Sequence, residues 1–284
     1  MVPTNKTLLL DTTVSIDRLK SRNRRRHIDL IASDYVACLV TGISLLEFKA
    51  VYLEALLLIH ARLSRPNANF EDERFLLVEK LHPQSKLRAH LLFELQSKFA
   101  RPNASGIVDQ VRLAEKVKFY LQQAIPAAYR AFRTRQGVDF VNQARIGCPR
   151  AEEEPRFKQR RFAENLPTCR ANINRWCVVE EYICQHADRL ITGLRDHLQN
   201  SPPESPAEGE QLTNALGILE RVRSHPERRL SHQDCRKLGD CLIALEGIGL
   251  ANDVLTTNKK DWEPLCRLLG YNFVHLTYPD ENRS

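Results

Sequence analysis

The sequence predicts an α/β fold in which a small parallel sheet flanked by helices is interrupted by a large all-helical insertion. Two observations lead to this prediction. Short apolar runs alternate with helical patterns at both ends of the 284-residue chain, as strands and helices alternate in a parallel sheet. Between residues 63 and 227, helical periodicity dominates and strand signals are sparse. We therefore expect an α/β core made of residues 1–62 and 228–284, and an insertion made of residues 63–227.

The N-terminal part of the core begins with an apolar run, TLLL, which predicts a strand that ends at Asp11. The two threonines that follow form a polar turn that can cap a helix over residues 14 to 33. A β-rich run, YVACLVT, predicts a second strand at residues 35 to 41, and Gly42 ends it. Ser44 can then cap a long helix whose apolar residues are dense enough to be buried on most sides.

The C-terminal part of the core shows the same alternation. Residues 235 to 250 predict a helix, and the segment DVLTT after it predicts a strand. A short helix, KKDWEPLCRLL, is expected to end at Gly270, because glycine accommodates the left-handed backbone found after helix C-termini. The segment NFVHLTY predicts the last strand. Within the insertion, the Pro- and Ser-rich residues 200 to 210 predict an exposed loop.

The composition restricts the class of protein. No apolar run approaches the roughly 18 residues that cross a membrane, and the first residues lack the apolar stretch of a signal peptide. Eight cysteines occur without a CxxC pair, so we expect free thiols and a cytoplasmic location. The net charge of +7 is compatible with a polyanionic partner such as RNA. Only 7% of the residues are aromatic, which argues against a stacking platform for single strands.

Two acidic residues follow the predicted N-terminal strands. Asp11 stands where the first strand ends, and ligands of open parallel sheets bind just beyond the carboxyl ends of the strands. Glu47 lies one turn into the helix after the second strand, so it points toward the same edge if the strands are parallel. Each also has a simpler interpretation: Asp11 can cap a helix, and Glu47 can be an ordinary acid near a helix N-terminus.

Asp240 is the least expected acidic residue, because it lies in an apolar helix. Its helical face contains Ile243, Ala244 and Gly247, which form a small apolar surface suited to packing on a sheet. Asp240 should therefore be buried at the sheet edge, where an unpaired carboxylate costs several kcal/mol. One solution is an ion pair with Lys237 or a nearby arginine.

A second solution is a shared cation. Thr256, Asn258 and Asp261 cluster in the loop TTNKKDW after the next strand, again on its carboxyl side. Four acidic residues, one of them Asp261, then converge on one edge. Mg²⁺ or Mn²⁺ would relieve their repulsion, because both ions prefer oxygen ligands. Such ions activate water and neutralise charge on phosphoryl groups, which points to phosphodiester hydrolysis.

The order of four segments resembles the PIN-domain ribonucleases, a family that includes many toxins of bacterial toxin–antitoxin pairs. The segments are LLLDTTVSIDRL, TGISLLEFKA, LGDCLIALEGIGLANDVLTTNKKDW and GYNFVHL. The family pattern has an Asp after the first strand, a Glu on a following helix, a D-x-x-I-A helix, and then T-x-[DN]-x-x-[DH]-[FW]. The matching residues here are Asp11, Glu47, Asp240, Thr256, Asn258, Asp261 and Trp262.

The resemblance implies a Mg²⁺- or Mn²⁺-dependent endoribonuclease. Asp11, Glu47, Asp240 and Asp261 would hold the metal and carry catalysis, and Thr256 would help to orient the last loop. Asn258 would orient this loop as well. RNA would be the substrate, and a cognate antitoxin or other inhibitor protein and a homodimer are partners that such a nuclease can have.

The sequence departs from the family pattern at two points. Asn258 occupies a position that is often Asp, and the insertion between Glu47 and Asp240 has no counterpart in compact relatives. These departures favour an alternative, in which a catalytically weak or inactive PIN-like module binds nucleic acid or protein. The helical insertion would then be the interaction surface.

A basic run, RLKSRNRRRH, follows Asp11 closely at residues 18 to 27. Phosphate contacts require only charge and reach, so this run is predicted to bind nucleic acid beside the acidic edge. A solvated helix face is the simpler interpretation of the same run. The residues predicted to contact the phosphates are Arg22, Arg24, Arg25 and Arg26.

Overall fold

The structure of the protein is a computed structural model. It describes residues 4–79, 85–102, 106–134, 139–140, 146, 148, 151, 154–158, 161–162, 177–200, 206–224 and 230–278.

The chain forms two compact units. The first, which we call the sheet unit, comprises Met1–Glu47, Phe132–Glu153 and Pro167–Ser284. The second, the helical unit, comprises Phe48–Ala131 and Glu154–Leu166.

The strands of the described residues are, in chain order, β1 (Thr4–Leu10), β2 (Tyr35–Val40), β3 (Asp139–Phe140), β4 (Phe157–Lys158), β5 (Arg161–Phe162), β6 (Asp253–Thr256) and β7 (Asn272–His275). The helices are α1 (Thr12–Lys20), α2 (Arg22–Ala32), α3 (Gly42–Phe48), α4 (Glu54–Leu63), α5 (Phe70–Glu79), α6 (Ser85–Phe99), α7 (Gln110–Thr134), α8 (Val178–His186), α9 (Asp188–Asn200), α10 (Pro206–Ser224), α11 (His232–Lys237), α12 (Gly239–Gly247) and α13 (Lys259–Leu269). A π-helical turn, Lys49–Leu53, joins α3 to α4.

The sheet unit contains a parallel sheet with the strand order β3-β2-β1-β6-β7. Strand β3 adds only two residues at one edge, so four strands form the body of the sheet. All neighbouring pairs are parallel, with Leu9 opposite Leu39 and Leu10 opposite Leu255. The carboxyl ends of β1, β2, β6 and β7 therefore meet at one edge. The predicted α/β fold with a small parallel sheet is confirmed.

The core of the sheet unit joins the sheet to helices that the sequence assigned to the insertion. Helices α8, α9 and α10 contribute Ile183, Leu194 and Leu219 to one apolar cluster with Ile243 and Trp262. The sheet unit thus includes residues 178–224, whereas the predicted core comprised only residues 1–62 and 228–284. Helical periodicity shows that a helix has an apolar face, but it does not show which neighbour covers that face.

The helical unit consists of α4, α5, α6, most of α7 and an antiparallel hairpin of β4 and β5. Its interior contains polar groups next to aromatic rings. His60 lies edge-on to Phe157 and Phe162, with ring centroids 5.6 and 4.9 Å away. The buried Lys49 ammonium lies 5.4 Å from the ring centroid of Tyr129, a cation–π arrangement that offsets part of its desolvation cost.

Strands β1, β2, β6 and β7 lie where the apolar runs predict them. Helix α13 also ends as predicted, because Gly270 has a φ of 80° and its N–H donates to the Cys266 carbonyl at 2.9 Å. Thr41 replaces Ser44 as the cap of α3: its hydroxyl accepts a hydrogen bond from the Ser44 N–H at 3.1 Å. The prediction for Ser44 was wrong because the helix begins two residues earlier, at Gly42.

Two predicted helices are interrupted. The helix predicted at residues 14 to 33 is divided into α1 and α2 by Ser21, whose backbone is extended and whose side chain accepts a hydrogen bond from the Arg24 N–H. The helix predicted at residues 235 to 250 is divided into α11 and α12 at Leu238. At the first break, the serine satisfies an N–H group at the start of the new helix and so favours the interruption.

Helix α10 begins inside the predicted loop at residues 200 to 210. Pro206 is its first residue, and proline is favoured there because the first N–H of a helix has no partner within the helix. Residues 201–205 of the predicted loop lie outside the described part of the chain. The N-terminal half of α10 lines a cleft.

Candidate metal centre

Asp11 joins the carboxyl ends of two neighbouring strands. It directly follows β1, and its Oδ2 accepts hydrogen bonds from the hydroxyls of Thr13, at 2.5 Å, and Thr256, at 2.8 Å. Thr256 is the last residue of β6. The Asp11 side chain is only 2% exposed, and this burial raises its pKa, although the hydrogen bonds lower it. The carboxylate is therefore fixed at the sheet edge, where desolvation disfavours its charged form.

Glu47 lies on α3, beside Asp11. Its Oε2 accepts a hydrogen bond from the Thr12 hydroxyl at 2.7 Å. Burial raises the pKa of Glu47 to about 7, and the negative charge of Asp11 adds to the rise. The Thr12 hydrogen bond and the positive charge of Arg236 act in the opposite direction.

Glycine at position 239 allows Glu47 to lie against the first residue of α12. A Cβ atom at Gly239 would be only 1.7 Å from the Glu47 Oε1, far inside van der Waals contact. The space that a side chain would fill is thus occupied by the end of a carboxylate. Gly239 was not predicted as a site residue, although its position directly before Asp240 was the available signal.

Asp240 lies in the first turn of α12 and is partly exposed, whereas the sequence predicted that it would be buried. Desolvation raises its pKa well above the usual range, and the charges of Asp11, Glu47 and Asp261 raise it further. No cation of the described residues is among the groups that shift this pKa, so the alternative of an ion pair with Lys237 is not observed. The indole N–H of the buried Trp262 lowers the pKa, although its geometry lies outside that of a standard hydrogen bond.

The loop after β6 positions Asp261. The Asn258 N–H donates to the Thr256 hydroxyl at 2.9 Å, and the Asn258 side-chain amide donates to the Asp261 carboxylate. Thr256 therefore contacts both Asp11 and the loop, and Asn258 holds the acid that follows it. These contacts correspond to the orienting roles that the sequence suggests for the two residues.

Glu246 is a buried acid that was not predicted as a site residue. It is 1% exposed and accepts a hydrogen bond from the Ile43 N–H at 3.1 Å, at the start of α3. Burial raises its pKa to about 7, while donors from Ile43, Thr41, Gly42 and Ile146 lower it. Glu246 thus connects α12, which carries Asp240, to α3, which carries Glu47. An acid in the apolar segment IALEGIGL was a signal for this role.

The four predicted acids are close enough for the charges of three of them to raise the pKa of the fourth, Asp240, but their side chains do not form a closed coordination shell. Within the ranges that the structure describes, no group of three His, Cys, Asp or Glu side chains has the spacing of a complete metal site. Hydroxyl and amide hydrogen bonds hold three of the acids at their present separations. The donor set nevertheless consists of hard oxygens, which fit Mg²⁺ or Mn²⁺ better than the softer metals.

A cleft of about 470 Å³ opens onto three of these acids, Glu47, Asp240 and Asp261. Helix α10 supplies residues to its lining, and so does the C-terminal end of α11. The polar or charged residues that these two helices contribute are Glu210, Gln211, Asn214, Arg236 and Lys237. This lining was not predicted from the sequence, because helical periodicity assigned α10 to the insertion.

The predicted phosphate-binding arginines do not line this cleft; its described cations are Arg236 and Lys237. Arg24 pairs with Asp17 at 2.8 Å, and its guanidinium lies 4.5 Å from the ring centroid of Tyr278. Arg25 pairs with Asp29 at 3.4 Å. Arg22 and Arg26, the remaining two, are exposed.

Comparisons with known proteins give no match: no protein-family model, curated protein or solved structure matches this chain. Among the helices that the structure describes, none is both long and apolar enough to cross a membrane.

Proposed function

We propose that the protein is a Mg²⁺- or Mn²⁺-dependent endoribonuclease of the PIN type. The observation that supports this most directly is the environment of Asp240. Burial raises the pKa of this residue, three other acids raise it further, and no described cation lowers it. Such crowding at the carboxyl edge of a parallel sheet is typical of a site built for a ligand.

Asp11, Glu47, Asp240 and Asp261 would hold the ion, directly or through water. A divalent ion held there would neutralise charge on a phosphodiester and lower the pKa of water. Residues of the chain itself hold the acids in place. Thr12 holds Glu47 by its hydroxyl, and the buried position of Asp11 limits access of solvent to the inner side of the site.

The test is cleavage of structured and unstructured RNA by the purified protein with Mn²⁺, and then with a chelator. We expect cleavage that the chelator abolishes and that Asp11→Asn and Asp240→Asn remove. Asp196→Asn is the matched control, because it removes one exposed carboxylate of α9, and it should retain cleavage. Full cleavage by both site variants would contradict the proposal.

A second candidate function is a PIN-like module that binds nucleic acid or protein without cleaving it. Asn258 favours this function, because its side-chain amide donates a hydrogen bond to an oxygen of Asp261. An acid at position 258 could instead supply a further metal ligand. The helical unit would supply the interaction surface. Large apolar side chains are exposed on it, including Phe75, Phe93 and Phe119, at 63, 63 and 62%. RNA binding without cleavage in Mn²⁺ would favour this function.

A further inference from the structure

Helix α10 is fixed in the sheet unit by an apolar stripe. Leu212, Ala215 and Leu219 are 5, 3 and 0% exposed and belong to the apolar cluster that includes Ile243 and Trp262. Their spacing of three and four residues places them on one helical face. The residues beside this stripe are therefore held at defined positions along the wall of the cleft.

Two amide side chains lie at the cleft edge of this helix. Gln211 and Asn214 both line the cleft and are exposed, and their separation of three residues places them on one face. A carboxamide carries both a donor and an acceptor, which is the pattern needed to pair with the edge of a nucleobase. Neighbouring Glu210, which also lines the cleft, can only accept hydrogen bonds when ionised and would repel a phosphate. This wall thus suits a base better than a backbone.

Two cations of another helix, α11, line the same cleft. Arg236 and Lys237 are the last two residues of α11, line the cleft and are exposed. Arg236 is close enough to Glu47 for its charge to lower the pKa of that acid. Cations at the rim of an acidic site are suited to contact the phosphates on either side of a reacting one.

We infer that Gln211 and Asn214 determine which nucleotide is accepted next to the scissile phosphate, and that Arg236 and Lys237 position the flanking phosphates. The inference rests on the proposed ribonuclease function and adds a wall that lies outside the segments resembling PIN domains. The cleft volume of about 470 Å³ is in the range of small-ligand pockets, about 300 to 1,000 Å³.

The amides are tested with a pool of single-stranded RNA of random sequence, incubated with the full-length protein and Mn²⁺, with sequencing of the new ends. Gln211→Ala and Asn214→Ala should each weaken the base preference beside the cut, by roughly tenfold for a lost bidentate contact. Thr213→Ala is the matched control, because Thr213 is exposed on the same helix and is not among the cleft residues. Its preference should equal that of the natural protein.

The cations are tested by the salt dependence of cleavage on a set of RNAs of different defined sequence. Arg236→Ala and Lys237→Ala should raise KM for all sequences alike and should lower the slope of log affinity against log salt by about 0.7 each. The control is Arg267→Ala, which removes an exposed cation from α13 outside the cleft and should leave the slope unchanged. A change in sequence preference in the cation variants would contradict the assigned roles.

The same variants are also measured for binding to the random pool in chelator, so the inference can be judged without cleavage. If RNA is cut and the amide variants keep the natural preference, the inference is wrong and the proposed function stands. If no RNA is cut but the amide variants lose a binding preference, the wall is supported and the nuclease proposal is not. An absence of both cutting and binding overturns both.

Discussion

The two units differ in where they place their least favourable side chains. In the sheet unit, the acids lie at the carboxyl edge of the sheet. Asp11 and Glu246 are almost fully buried there, and the pKa of Glu47 is raised to about 7. In the helical unit, the buried cation Lys49 faces an aromatic ring, and bulky apolar side chains such as Phe93 are exposed instead. Repulsion between acids is concentrated at one cleft of the sheet unit, which indicates a site that stability alone does not explain.

The largest expected effect comes from removing one acid of the cleft. Asp240→Asn should reduce cleavage at least about 100-fold and at the same time raise the midpoint of thermal unfolding in chelator, because it removes a charge that three other acids repel. Activity and calorimetry on the same preparation measure the two effects.

A matched acid of the helical unit should behave in the opposite way. Glu73 is 7% exposed and lies 3.9 Å from Arg62 and 3.7 Å from Arg65. Glu73→Gln should lower the unfolding midpoint and leave cleavage unchanged. If both variants lose stability, the difference between the units does not hold.

The next effect concerns pH and Glu246. Its folded pKa of about 7 lies above the ordinary value of 4.5, so its contribution to stability is complete below pH 4.5 and is lost as the pH rises to about 7. The loss is on the order of 3 kcal/mol. Glu246→Gln should remove this pH-dependent loss of stability, because the amide stays neutral and keeps one acceptor oxygen for the Ile43 N–H. Urea unfolding at pH 5 and pH 8 measures the change, and an equal change in both proteins would contradict the assignment.

A smaller effect is expected at Gly239, whose missing side chain leaves room for Glu47. Gly239→Ala should displace the end of Glu47 and reduce cleavage about tenfold, which corresponds to about 1.4 kcal/mol. Gly217→Ala on α10 is the control, since a Cβ there meets nothing within 4 Å. It should stabilise the helix by up to about 1 kcal/mol without loss of activity. Equal activity of the two variants would show that Glu47 has no role.

The smallest effect is expected on the surface of the helical unit. Phe93→Ser replaces a side chain that is 63% exposed, so the free energy of unfolding should change by less than about 0.5 kcal/mol, and cleavage should be unchanged. Chemical unfolding and the RNA assay measure both. A loss of cleavage would indicate that chemistry in the sheet unit depends on this surface.

The sequence alone predicts the parts of the fold whose signals are local. Short apolar runs such as TLLL and DVLTT identify β1 and β6, and Gly270 marks the end of α13. In each case the local backbone conformation restricts the residue types that can occupy the segment. The break at Leu238 has no such signal. Strand β3 has only two residues, which are too few to show an alternating pattern of apolar residues. The segments that cover the apolar face of α10 are set by contacts between residues that are distant in the sequence.

The candidate site divides in the same way. Asp11, Asp240 and Asp261 follow strands or interrupt an apolar helix, so their positions could be read from the chain. Gln211 and Asn214 look like ordinary exposed residues of a helix, and only the folded chain brings them to the cleft. Arg24 belongs to a basic run that predicts a phosphate contact, and the structure shows in addition that this side chain pairs with Asp17.

The central claim is tested most directly by Mn²⁺ binding to the natural protein and to Asp240→Asn. Binding is measured as the loss of the electron paramagnetic resonance signal of free Mn²⁺. The acids of the sheet unit should bind the ion in the natural protein, and the variant should bind it at least about tenfold more weakly. Equal binding by the two proteins, or none by the natural protein, would contradict a metal centre at this cleft.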